Sequence, residues 1–206
     1  MKIGLYFGTF NPIHVGHLII ANHLAEHTDL EQIWMMVTPH NPLKQKKTLL
    51  DDYQRLHLVR LATEEYPKIK PSDFEFKLSQ PNYTVNTLAY LMEKYPQHQF
   101  SLIMGEDNLK SFHKWKNYNM ILENHDIYVY PRLEAKGRSG EAISDPEVSG
   151  ENHQFKNHSK ILYIDAPIVE ISSTFIRENI KSKKNIRPLL PHLVWEYIDH
   201  NNLYIK

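Results

Sequence analysis

Short apolar runs alternate with amphipathic stretches along most of the chain. The runs Lys2–Phe7, Gln32–Val37, Gln99–Met104, Asp126–Tyr130 and Lys160–Ile164 have the length and composition of buried strands, and Asp73–Lys77 is assigned with them. Helical spacing of apolar positions predicts helices over Gly16–His27, Asp52–Tyr66, Thr84–Tyr95, Asp107–His113, Asn117–Asn124, Ser173–Lys181 and Pro191–His200. Asp51 and Ser172 stand where N-caps are expected. Such alternation implies an α/β protein, a parallel sheet with helices on both faces and a small helical segment at the carboxyl end. Residues 1–206 read as a single domain, with 131–159 as a surface excursion: Pro131–Ser159 carries glycines, serines and charges without periodicity.

The first strand runs directly into Gly8-Thr9-Phe10-Asn11-Pro12-Ile13-His14-Val15-Gly16-His17. Gly8 permits close backbone approach, Thr9 and Asn11 offer short polar groups, and the helix that follows points unpaired amides and its positive dipole end at the loop. His14 and His17, three apart, share a helix face and can grip one polyphosphate. Two other readings stay open: a plain strand-to-helix turn with surface histidines, or a zinc pair. The second has little to complete it, because the chain has 13 histidines but no cysteine.

Charge narrows the partner. The 24 basic and 24 acidic residues cancel, which suits a small anionic substrate better than nucleic acid. No long apolar span occurs, so no membrane partner is expected. The sequence opens on a strand with no apolar leader, and a cytoplasmic location is the expectation. Without cysteine there is neither thiolate chemistry nor a disulfide.

A second candidate anion site is Ile171-Ser172-Ser173-Thr174-Phe175-Ile176-Arg177, hydroxyls at the amide-rich start of a helix. Arg177 lies four residues after Ser173, can fold back along the same face, and presents the planar fork that suits phosphate. A well-capped helix with a solvated arginine is the plainer alternative. Lys44, in the loop after the second strand, is a further cation for the same anion, while Lys46 and Lys47 read as solvated charges.

The Gly8–His17 run resembles the HxGH signature of the nucleotidyltransferase superfamily, and the second segment resembles its ISSTxxR phosphate motif at every specified position. Pro81–Thr87, Gly105-Glu106-Asp107 and Trp115, taken in order with these, resemble the nicotinate mononucleotide adenylyltransferases over nearly the whole chain outside Pro131–Ser159. The chain departs from the superfamily pattern at Asn11, where aspartate is usual, and at Leu43, where histidine precedes the basic residue. The resemblance implies a Rossmann-like fold and adenylyl transfer from ATP to nicotinate mononucleotide, giving nicotinate adenine dinucleotide and pyrophosphate. It implies catalytic roles for His14, His17, Lys44 and Arg177. ATP would be bound by Gly8, Thr9, Phe10, Ile171, Ser172, Ser173 and Thr174, and the mononucleotide by Asn82, Tyr83, Thr84, Gly105, Asp107 and Trp115.

A flat ring such as Trp115 can stack on a pyridine, and amides opening the Thr84 helix can bind a carboxylate. Against this, Trp115 and Tyr83 are also the kind of rings a core takes up, and Thr84 and Asn82 suit a helix cap. The 5′-phosphate nucleophile is already anionic and needs little from a general base. Mg²⁺ would be held by substrate phosphates and water, with no metal site of the protein's own. The rival readings are a transferase acting on nicotinamide mononucleotide or phosphopantetheine, and a nucleotide-binding regulator without catalysis. A homo-oligomer is left open.

Overall fold

Strand β1 (Lys2–Gly8) lies in the middle of a six-stranded, wholly parallel sheet and divides its side chains between two cores. Ile3 and Leu5, both fully buried, point to one face, and Tyr6 points to the other. The structure is a computed structural model that describes residues 1–39, 49–132, 155 and 157–205. Its other strands are β2 (Gln32–Val37), β3 (Ile69–Ser72), β4 (Gln99–Gly105), β5 (Ile127–Tyr130) and β6 (Ile161–Tyr163), in the spatial order β3-β2-β1-β4-β5-β6. Ile3 pairs with Gln32 of β2 on one side and Phe100 of β4 on the other.

The order reverses between β1 and β4. In a doubly wound sheet that crevice, beyond the carboxyl ends of the strands, is where ligands bind.

The helices are α1 (Val15–His27), α2 (Asp52–Thr63), α3 (Thr84–Lys94), α4 (Glu106–Lys110), α5 (Tyr118–Asn124), α6 (Ser173–Lys181) and α7 (His192–His200). One core contains Leu24 of α1, Leu56 and Val59 of α2, Ile176 of α6 and Val194 of α7, packed with Tyr6, Met35 and Tyr128 of the sheet. The opposite core joins Leu88 and Leu91 of α3, Leu109 of α4 and Ile121 of α5 to Leu5, Leu102 and Val129. The Rossmann-like fold read from the sequence is thus the one observed, with α7 as the helical segment near the carboxyl end. Both expected caps form: Asp51 accepts from the Tyr53 and Gln54 amides at 2.9 and 3.2 Å, and Ser172 from the Phe175 amide at 3.1 Å. Among the described residues no helix is long and apolar enough to cross a membrane.

Three expectations need correction. The third strand is Ile69–Ser72, and Phe74–Lys77 is a single 3-10 turn. The alternation of Phe74 and Phe76 imitates a strand. However, Ser72 Oγ accepts from the Phe74 amide at 3.3 Å and the Asp73 carbonyl from the Phe76 amide at 2.9 Å, and these local bonds turn the chain. Pro71 sits in β3 without penalty to the sheet because β3 is an edge strand. Helix α2 stops at Thr63, before Pro67, whose ring and missing amide bar a further turn. The expected Asp107–His113 helix is α4 followed by a separate 3-10 turn at Phe112–Lys114.

Most of the Pro131–Ser159 excursion lies outside the described residues, but Phe155 is buried, its ring 5.7 Å from Phe112 and 6.1 Å from Tyr118. The excursion therefore returns an aromatic side chain to the core. Phe155→Ala is expected to lower the unfolding free energy by about 3–5 kcal/mol, read from the denaturant midpoint at unchanged slope. A loss below about 1 kcal/mol would mean that the ring does not fill the core.

Candidate active site

Where β1 ends, Gly8 contributes through what it lacks: a Cβ there would lie 2.8 Å from the Phe10 ring. Phe10 is buried in the left-handed backbone region (φ 44°), a strained position for a bulky residue. Its ring is held edge-on by Tyr6 and His17, centroids at 6.0 and 5.0 Å. The turn then passes through Asn11 and Pro12 and enters α1 with His14 at the N-cap.

The His14 and His17 rings stack at 3.7 Å, and the His14 backbone amide donates to His17 Nδ1 at 3.2 Å. A neutral imidazole that accepts at Nδ1 carries its proton on Nε2, so His17 presents an N–H donor. Gly16 makes room for this arrangement, since a Cβ there would come within 3.0 Å of His14 Nδ1. Burial, aided by the Arg132 charge, pushes the His14 pKa down to about 3. Burial, then His14, then Arg132 hold His17 well below the usual histidine value. Both rings are neutral at pH 7. His14 Nδ1 is buried and has no hydrogen-bond partner among the described residues.

The distant serine–arginine turn docks directly on the first. Ser173 Oγ donates to the Pro12 carbonyl at 2.8 Å, and Arg177 Nη1 to the Asn11 carbonyl at 2.7 Å. Arg177 Nη2 also donates to Thr174 Oγ1 at 3.2 Å. Together the turns bound a cavity of roughly 300 Å³ at the β1/β4 switch point. Gly8, Thr9, Phe10, His14 and His17 line one side of it. Ile171, Ser172, Ser173, Thr174 and Arg177 line the other. Lys44 and Leu43 lie outside the described residues.

The residues assigned to the mononucleotide stand differently. Gly105 and Asp107 are not among the cavity-lining residues, but their neighbours Met104 and Asn108 are. Asp107 reaches the cavity through Arg132, whose Nη1 donates to it at 3.1 Å. Asn82, Tyr83, Thr84 and Trp115 are likewise not among the cavity-lining residues. Lys116 Nζ sits 4.4 Å over the Tyr83 ring, which brings the Trp115 segment to the start of α3. Asn82 is buried with a structural task, its Nδ2 donating to the Glu75 carbonyl at 3.0 Å. Glu75 itself accepts from Thr87 Oγ1 at 2.7 Å, and burial raises its carboxyl pKa.

Several residues of the site escape a motif reading. Arg55 is fully buried on α2. It donates to the Thr9, Thr38 and Leu50 carbonyls at 2.5, 3.1 and 3.1 Å, and pairs with Asp52 at 2.5 Å. One guanidinium thus ties the loop after β1 to the loop after β2. Its signal is its phase, since Arg55 stands on the core face of α2 with Val59 and Ala62. Arg132, just past β5, stands where the switch-point rule places ligand groups. Asn11, buried, accepts through Oδ1 from the Leu50 amide at 3.2 Å and the Tyr204 hydroxyl at 2.9 Å. A position that sequence marks as a departure is, in the fold, a joint.

Comparison with known proteins agrees with this geometry. The cytidylyltransferase-like family profile matches residues 5–179. A Flavobacterium psychrophilum protein described as a probable nicotinate-nucleotide adenylyltransferase is 71% identical over 206 residues, covering all of both chains. A Bacteroides thetaiotaomicron protein of the same description is 42% identical over 201 residues, 96% of this chain and 91% of that one. Among solved structures, Plasmodium falciparum nicotinic acid mononucleotide adenylyltransferase complexed with NaAD superposes with a TM-score of 0.75 at 19% identity, covering 98% of this chain and 97% of that one. That likeness speaks for the fold. The family match over residues 5–179 and the full-length identity together place the chain in the cytidylyltransferase-like family, among the nicotinate-nucleotide adenylyltransferases.

Proposed function

We propose that the chain transfers the adenylyl group of ATP to nicotinate mononucleotide, releasing pyrophosphate, and that the two docked turns perform the transfer. The observation that carries this is the pair of hydrogen bonds from Ser173 and Arg177 to the Pro12 and Asn11 carbonyls. They place two helix N-termini and an arginine around one cavity of triphosphate scale. An oxygen of the mononucleotide 5′-phosphate attacks the α-phosphorus of ATP, a new phosphorus–oxygen bond forms, and the bond to the bridging oxygen of pyrophosphate breaks. Both reactants are anions, so the protein's work is to align them and stabilise charge moving to the leaving group.

His17 Nε2–H and the His14 ring serve as neutral donors at the α-phosphate, where their bonds strengthen as charge develops. Arg177 and Lys44 hold the β and γ phosphates, with the first-turn amides of α6 beside Ser172 and Thr174. Among the described residues no group of three His, Asp or Glu side chains gathers to ligate a metal. On this reading a Mg²⁺ ion would enter with the nucleotide substrate, held by phosphate oxygens and water.

Three features support the nicotinate acceptor. α3 opens behind Tyr83 with no side chain capping its first amides, leaving donors for a carboxylate. Lys116 adds a cation there, and Trp115 an adjacent half-buried ring. The full-length relatives carry the same description. The direct test is pyrophosphate release from ATP with each acceptor in turn. Release with nicotinate mononucleotide at an efficiency at least tenfold above that with nicotinamide mononucleotide, and none with phosphopantetheine, is expected. Preference for another acceptor would reassign the substrate, and no release with any would leave a nucleotide-binding protein without catalysis.

Neutral, buried histidines also shape stability. The folded pKa of His14, about 3, lies below the unfolded value near 6.5. Between those values the unfolded chain binds the proton and the folded one does not, so stability rises with pH across the window and is lost as pH falls from 6.5 toward 3. Each imidazole contributes a slope of up to about 1.4 kcal/mol per pH unit. His14→Gln is expected to flatten the dependence of unfolding free energy on pH between 4 and 6.5; an unchanged slope would mean that His14 protonates in the folded protein.

A further inference from the structure

Behind the first turn of the site lies the end of the chain. After α7 the backbone reverses through two residues in the left-handed region, Asn202 (φ 50°) and Tyr204 (φ 66°). Asparagine tolerates that conformation, whereas tyrosine is disfavoured in it and is found there only when its surroundings hold it. Two contacts do so. The ring packs on the core shared by α1, α2 and α7, and the hydroxyl donates to Asn11 Oδ1 at 2.9 Å.

Asn11 is the residue whose backbone carbonyl receives Arg177, and the Arg177 and Arg55 charges both act on the Tyr204 hydroxyl. Burial raises the Tyr204 pKa, so the group remains a donor throughout the neutral range. The tail, the HxGH turn and the phosphate-binding arginine thus form one chain of contacts: Tyr204 to the Asn11 side chain, and the Asn11 backbone to Arg177.

We propose that Tyr204 is a positioning residue for the triphosphate site, its hydroxyl fixing Asn11 and, through the Asn11 carbonyl, the docking point of Arg177. This rests on the adenylyl-transfer reading for its effect on turnover. The carboxyl-terminal tail is on this account part of the active site, although Tyr204 is not among the cavity-lining residues. It also gives Asn11 a role that needs no negative charge, since an amide oxygen accepts both the hydroxyl and the Leu50 amide.

The test is a cycle of variants read in kcat/KM for ATP, in the Kd of a non-hydrolysable ATP analogue and in melting temperature. Tyr204→Phe keeps the ring and removes the donor. It is expected to lower kcat/KM for ATP about tenfold, the size of one lost hydrogen bond, and to raise the analogue Kd by a similar factor. KM for the mononucleotide should stay within twofold of wild type. In an Arg177→Ala background the same change should alter neither quantity more than twofold, because the tyrosine acts through the arginine.

Losses that multiply in the double variant, or a Tyr204→Phe enzyme within twofold of wild type, overturn the proposal. So does a loss spread equally over both substrates in step with a lowered melting temperature. If Tyr204→Phe does not fold, Asn11→Ala, which leaves the tyrosine ring in its packing, must show the same ATP-selective loss. Should wild type release no pyrophosphate with any acceptor, the reaction assignment fails, while the analogue Kd still decides the role of Tyr204.

Discussion

The carbonyl oxygens of Asn11 and Pro12 are the point on which the site depends. Each accepts a bond from the other end of the sequence, one from Arg177 and one from Ser173, at 2.7 and 2.8 Å. Without these bonds, the turn after β1 and the turn before α6 would be two separate helix starts, each a weak anion site. With them, two sets of amides, two imidazoles and a guanidinium surround one cavity. Backbone acceptors suit this task, because an arginine held by a carbonyl keeps its positive charge for a ligand.

The rest of the molecule serves to hold that junction still. The strand order puts β1 beside β4, so the crevice opens where the first turn leaves the sheet. Arg55, inside α2, pulls the Thr9, Thr38 and Leu50 carbonyls together from behind. A buried guanidinium is tolerated only with its donors satisfied, which makes the packing of α2 and the shape of the loop mutually dependent. Burial that keeps His14 and His17 uncharged has a chemical consequence as well. In the proposed reaction, such neutral N–H donors would serve phosphate oxygens without the titration near pH 6.5 that exposed histidines would bring.

Much of this was legible in the sequence, and the exceptions share a cause. The strands from β1 to β6 show themselves as apolar runs because both faces of a parallel sheet are buried. β3 is the exception: as an edge strand it is short, carries Pro71, ends on the turn-forming Ser72 and is followed by Asp73. His14, His17, Ser173 and Arg177 could be picked out because spacing on one helix is a local property. Arg55, Arg132 and Tyr204 could not, since each acts across long separations that no local spacing encodes. Asn82, expected at the substrate, also anchors the Glu75 turn through its Nδ2, a task that only its partner reveals.

The central claim is that both turns grip the same triphosphate. Its most direct test is an NMR titration of the labelled protein with a non-hydrolysable ATP analogue, following the His14 and His17 ring signals together with the Ser173 amide and the Arg177 side chain. The account requires all four to shift with one midpoint at a stoichiometry of one nucleotide per chain. Response from only one of the turns, or two separate midpoints, would contradict it.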